Sequence, residues 1–162
     1  IIKIFTLVKA DTSVSAMKIK ELEKLYGINR NHIVIDTDGV GGGTADQVKG
    51  CVELHNGASP LNGDNYKNLK AQVYYKLAEY VNADKIKIAQ VKMEEREYII
   101  QELEVITMKD ADKDTKLAII GKEEVKKIIS RSPDYSDAIA YRMYNELQPK
   151  NRGNYFFQKL RF

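Results

Sequence analysis

Asp36 and Asp38 close a short apolar run, Ile33-Val34-Ile35, and lead directly into Gly39-Val40-Gly41-Gly42-Gly43. A strand of this kind delivers two carboxylates to the mouth of a sheet, and the glycines let the backbone turn sharply and a ligand come close. A second acidic pair, Asp134 and Asp137, lies far downstream in Ser132-Pro133-Asp134-Tyr135-Ser136-Asp137-Ala138. Carboxylates that converge from a strand end and a distant helix start are what a magnesium or manganese site requires. Oxygen-only ligands suit those ions better than zinc. Each acid also has a plainer reading. Asp36 and Asp38 are typical turn residues. Asp134 and Asp137 are three residues apart, on nearby faces of a helix, where first-turn acidity is favourable in itself.

The glycine cluster also permits phosphate to be cradled on backbone N–H groups. Two carboxylates ahead of the glycines would repel pyrophosphate, however, and no Gly-Lys-Ser/Thr ending follows. Nucleotide binding at Gly39–Gly43 is therefore an alternative rather than the main reading. His32, His55 and the single Cys51 cannot build a zinc site without carboxylates. His55, at a predicted strand end, could approach the acidic edge. Lys122 and the Lys126-Lys127 pair could meet phosphates, or could simply form a solvated helix face. Tyr66, Tyr74, Tyr75 and Tyr80, at helical spacing, read as packing residues.

The elements that must position these residues follow from periodicity. Ile2, Ile4, Phe5, Leu7 and Val8 suggest an opening strand. A helix capped at Asp11–Ser13 runs to Tyr26 and closes at Gly27. A strand over 32–36 comes next, so the opening strand and this one should pair in parallel across the helix. Thr44 should cap a short helix reaching Val48, followed by a strand over 51–55 and a polar loop over 56–64. An amphipathic helix is predicted over 66–81, with Leu69, Val73, Leu77 and Tyr80 on one face. Another helix is predicted over 94–103, then an antiparallel hairpin of 104–108 with 117–120, whose turn is 109–114. Glu123 to Ile129 reads as helix. Ser132 should cap a final helix, with Pro133 at its first position, running to about Pro149. The tail 151–162 is aromatic and basic, suited to docking on the body or on a partner.

The 162 residues, 43% hydrophobic and 30% charged, suffice for one soluble domain with a real core. A net charge of +3 permits contact with a phosphate backbone without demonstrating it. One cysteine excludes an internal disulfide. The sequence shows no signal peptide and no apolar run long enough to cross a bilayer, so a cytoplasmic protein is expected. The chain starts with Ile1, inside a strand-like pattern, and reads as part of something longer.

In combination, these pieces resemble the nuclease domain of phage terminase large subunits, the motors that cut and package viral DNA. Val34 through Asp46 is similar to that family's strand, acid, glycine turn and following helix. Asn65-Tyr66-Lys67-Asn68-Leu69-Lys70-Ala71-Gln72 is similar to its Tyr/Asn-containing helix start. Ser132 through Ile139 looks like its terminal acidic motif, and Lys122-Glu123-Glu124 has the matching Lys-Glu character.

The resemblance implies an α/β, ribonuclease H-like mixed sheet with helices on both faces, lacking the first strands of that fold. It implies a partial nuclease domain over 1–150 and a tail over 151–162. It also implies two divalent ions, magnesium or manganese, and endonuclease cleavage of double-stranded DNA. By position, Asp36 resembles the second acid of that site, and Asp134 and Asp137 resemble its C-terminal acid or acids. Asp38 is a further possible ligand, and Lys122 and Lys126 are the possible DNA contacts. The first acid of the family pattern has no counterpart here; Asp11, after the opening strand, substitutes poorly. Cleavage by this chain alone is therefore expected to be weak or absent. The implied partners are the terminase ATPase domain, the small terminase subunit and the portal, in a phage- or prophage-encoded system within the host cytoplasm, with no membrane. The competing reading from a different class is a non-catalytic docking module of the packaging machinery.

Overall fold

A computed structural model describes residues 3–89, 91–109 and 115–149. Helix α1 (Thr12–Tyr26) is the first regular element among the described residues. The Asp11 side chain accepts from the Ser13 N–H at its start, and Gly27 takes a left-handed conformation at its end. A 3-10 turn (Arg30–His32) leads to strand β1 (Val34–Asp36). The short helix α2 (Gly41–Ala45) and strand β2 (Val52–Leu54) follow. A 3-10 turn (Leu61–Gly63) precedes the long helix α3 (Leu69–Asn82), which Asn68 caps through the Ala71 N–H. Helix α4 (Met93–Val105) and the two-residue strands β3 (Met108–Lys109) and β4 (Ala118–Ile119) come next. Helices α5 (Lys122–Ile129), α6 (Asp134–Arg142) and α7 (Tyr144–Leu147) complete the order.

Strand β1 pairs in parallel with β2, Asp36 opposite Leu54, and β3 pairs antiparallel with β4. The expected hairpin is present but shorter and shifted: Glu104 and Val105 end α4, and Lys109, expected in the turn, pairs with Ala118; the rest of the expected turn, 110–114, lies outside the described residues, as does the tail 151–162. The parallel pair is not the expected one. Residues 3–10 form no strand, because no strand among the described residues lies beside them to complete a backbone ladder. The parallel partner of β1 comes instead from downstream, with α2 in the crossover.

Two apolar clusters hold the body together. Leu54, Leu69, Val73, Tyr74, Leu77, Ala140, Tyr141 and Met143 bury α3 and α6 against β2. Ala16, Ile35, Ala45 and Val48 seat α1 and α2 on the other strand. Removing such side chains from water contributes about 1.5–3 kcal/mol for each large aliphatic residue.

The glycine run differs from expectation. Helix α2 starts at Gly41, ahead of Thr44, so three glycines are helical and Thr44 is buried inside rather than capping. Gly39 alone of the run has positive φ, at 90°. Gly41 packs so closely on the Asp36 carbonyl oxygen that a Cβ there would overlap it. The close approach made possible by this glycine is therefore to the chain's own backbone. Helix α6 also departs from the reading. It begins at Asp134, Pro133 stands outside it, and Ser132 makes no cap. Met143 then separates it from α7.

Candidate functional site

The site forms where the C-terminal ends of the parallel strands meet α3 and α6. Asp36 is the last residue of β1. Its Oδ1 accepts from the Asp38 N–H at 3.0 Å, and the Asn56 amide donates to both carboxylate oxygens at 3.2 and 3.3 Å. The Tyr141 hydroxyl donates to Asp36 Oδ2 at 3.0 Å. Asn56 comes from the loop after β2, so parallel pairing brings it beside the end of β1.

Asp137 is buried in the first turns of α6. Its Oδ1 accepts from the Tyr74 hydroxyl at 2.7 Å and pairs with the Lys70 ammonium at 2.7 Å. The Lys122 ammonium lies 3.5 Å from Oδ2. Tyr74 also contacts the Ser136 hydroxyl at 3.0 Å. Burial, with the Asp137 charge next in importance, holds the Tyr74 phenol far above its ordinary pKa. Burial does the same to Tyr141, reinforced by the charges of Asp137 and Asp36. Both phenols therefore remain protonated and act as donors at neutral pH. Asp36 and Asp137 act electrostatically on one hydroxyl, that of Tyr141, which stands one helical turn beyond Asp137.

A support for α6 comes from α4. Glu102 is fully buried and its Oε2 accepts from the Ser136 N–H at 2.6 Å. Its other oxygen pairs with Arg131, whose guanidinium sits over the Tyr98 ring. A helix that lacks a cap of its own thus receives one from a neighbouring helix.

The other expected site residues lie as follows. Asp38 accepts from the Asn56 N–H at 2.9 Å, and the His55 ring is 3.5 Å away. Burial by itself would raise its pKa, but Asn56 and His55 together hold it below the usual carboxylate range. His55 also contacts the Thr37 hydroxyl at 3.1 Å. Asp134 is exposed at the start of α6 and makes no hydrogen bond or ion pair among the described residues. Lys126 pairs with Glu123 at 2.8 Å, on the outer face of α5. Lys70, Tyr74, Asn56 and Tyr141 were not singled out from the sequence as site residues. The signal available for three of them was spacing: Lys70 and Tyr74, like Asp137 and Tyr141, are four residues apart on one helix.

Asp36 and Asp137 offer carboxylate oxygens, the atoms a hard cation prefers, and nitrogen groups also face them: the Asn56 amide at Asp36 and the Lys70 and Lys122 ammonium groups at Asp137. Among the described residues, two buried oxygens, Asn56 Oδ1 and Asp137 Oδ2, have no hydrogen-bond partner, the latter facing the Lys122 ammonium at 3.5 Å. Among the described residues, no group of three His, Cys, Asp or Glu side chains could hold a metal ion. Carboxylate oxygens of this kind would suit magnesium or manganese, with water completing the shell.

No protein-family model matches the chain, and no curated protein does. Solved structures do. A variant of the nuclease domain of the large terminase subunit gp2 of bacterial virus Sf6, with manganese, superposes at a TM-score of 0.63 and 23% identity, covering 79% of this chain and 71% of its own. The same kind of variant with manganese and β-thujaplicinol gives 0.64 at 22% identity, over 84% of this chain and 74% of its own. The unsubstituted nuclease domain gives 0.55 at 22% identity, over 79% and 70%. The fold of this chain is the ribonuclease H-like fold of that terminase nuclease domain. No helix among the described residues is long and apolar enough to cross a membrane.

Proposed function

We propose that this chain is a nuclease domain of the phage terminase kind, hydrolysing phosphodiester bonds of double-stranded DNA with a divalent cation held by Asp36 and Asp137. The observation that carries the reading is the Tyr141 hydroxyl, hydrogen-bonded to Asp36 and set one turn from Asp137 at the open ends of the parallel strands. The shared fold supports it. On this reading the ATPase domain, small subunit and portal of a packaging machine are the partners.

Asp36 and Asp137 provide the ligand oxygens, and the buried Asp137 is preferred to the exposed Asp134. When bound, a magnesium or manganese ion supplies Lewis-acid polarisation of a phosphoryl oxygen and acidifies a water. Tyr141 and Asn56 fix the orientation of the Asp36 carboxylate. Tyr74 fixes that of Asp137. Lys70 and Lys122 balance the buried charge and present ammonium groups to a phosphate. With only these two carboxylates among the described residues, cleavage by the chain alone should be weak.

The test measures manganese binding by electron paramagnetic resonance together with nicking of supercoiled plasmid. Asp36→Asn and Asp137→Asn lose both, and Asp134→Asn keeps both. Unchanged manganese binding in Asp36→Asn overturns the reading.

A further inference from the structure

A groove of about 200 Å³ opens between the start of α3, the edge of β3–β4 and the start of α5. Four lysines line it: Lys67, Lys70, Lys109 and Lys122. Lys70 and Lys122 are the two that reach back to Asp137. Lys109 lies 3.8 Å from Glu124, whose carboxylate is also engaged by the Gly121 N–H. Lys67 is exposed, and its ammonium has no partner among the described residues. The backbone fixes the spacing of the walls. The Lys67 N–H donates to the Leu117 carbonyl at 2.8 Å and the Leu117 N–H to the Asn65 carbonyl at 3.0 Å, which ties the approach to α3 to the β4 side of the hairpin.

Among the described residues, four ammonium groups against the two carboxylates that touch them leave a groove with excess positive charge. Like charges gathered in a concave surface repel, and an anion relieves the repulsion. Lysines act as point charges for phosphate and impose no base specificity. We infer that this groove binds the sugar-phosphate backbone of duplex DNA, with Lys67 and Lys109 contacting phosphates beyond those at the Asp36–Asp137 site. The inference rests on the nuclease reading for the choice of duplex DNA, since two of the groove's lysines pair with Asp137. Lys126, paired outside on α5, has no part in it.

The experiment measures binding of the whole chain to a fluorescein-labelled duplex by anisotropy, in EDTA, across a salt series. Lys67→Gln/Lys109→Gln is compared with the wild type and with Lys24→Gln on the exposed last turn of α1. Each phosphate contact contributes about 0.9 to the slope of log affinity against log salt. The double variant should bind more weakly and show a slope shallower by about two, while Lys24→Gln matches the wild type. A wild type that does not bind, or a double variant with the wild-type slope, overturns the proposal. Because EDTA removes divalent ions, the result stands apart from catalysis. Cleavage lost in Asp36→Asn with the salt slope kept would leave the groove intact. Cleavage kept with an unaltered slope in the double variant would remove the groove alone. Equal displacement of the duplex from wild type and double variant by inorganic phosphate would also count against it.

Discussion

The Tyr141 hydroxyl reaches Asp36 Oδ2 at 3.0 Å across the junction of α6 and β1, a bond that a phenylalanine there could not make. Tyr141→Phe keeps the packing of the ring in the core. It removes one hydrogen bond to a charged group, worth about 1.5–3 kcal/mol. Urea unfolding should show a loss within that range, and manganese binding should weaken because Asp36 can then rotate. An unchanged midpoint would show that the bond carries no net energy.

Alkaline pH should unfold the protein through Tyr74 and Tyr141. Both folded pKa values are raised, by burial first and by the Asp137 charge second, from a value of 10.0 in the exposed state. The stabilising difference is complete below the unfolded pKa and is lost as pH rises above it, because the unfolded state then releases protons that the folded state retains. Stability should fall by up to about 1.4 kcal/mol per pH unit for each phenol above that point. Tyr74→Phe should flatten the pH dependence while removing a donor to Asp137. Tyrosinate absorbance should rise together with unfolding, not before it.

Neighbouring glycines should respond in opposite directions. Gly41→Ala drives a methyl into the Asp36 carbonyl, a backbone atom that cannot step aside, and should cost the upper end of the about 1–3 kcal/mol typical of overpacking, or more. At Gly42 the nearest atom is the Thr37 carbonyl oxygen at 3.8 Å, ordinary contact. Gly42→Ala should therefore be neutral or gain up to about 1 kcal/mol from helix propensity. Chemical denaturation of the two variants separates them.

Glu102 should matter to the site without touching it. Glu102→Ala strips the Ser136 N–H of its acceptor and leaves Arg131 without its buried partner. Loss of one member of a buried pair costs about 3–5 kcal/mol, and the partial exposure of Arg131 places the expected value near the lower end. Glu102→Gln, which keeps an acceptor oxygen, should recover part of it. Hydrogen exchange at the start of α6 should rise in the alanine variant and less in the glutamine variant.

The helices were legible because their signals are local. The Asp11 cap, the Gly27 stop and the Leu69–Val73–Leu77 stripe each declare themselves within one or two turns. The parallel pair was not, since the choice between residues 3–8 and Val52–Leu54 as the partner of β1 depends on long-range closure rather than on either segment's composition. Helix α2 was misjudged because three consecutive glycines carry poor helix propensity; the contact of Gly41 with the Asp36 carbonyl explains why one of them must stand there. Asp36 and Asp137 were visible as acids, but not the donors around them. Tyr74 reads as core from its spacing, and only its burial against Asp137 reveals the second use of its hydroxyl. Lys70 lies in an ordinary polar helix start, and nothing in its sequence neighbourhood indicates a carboxylate more than sixty residues away.

Lys70 and Lys122 stand between the Asp137 carboxylate and the groove that opens beyond it. Anything that draws those two ammonium groups outward strips the shielding from a negative charge in the interior. A polyanion outside and a cation inside would then assist one another without meeting, and by linkage the help is equal in both directions.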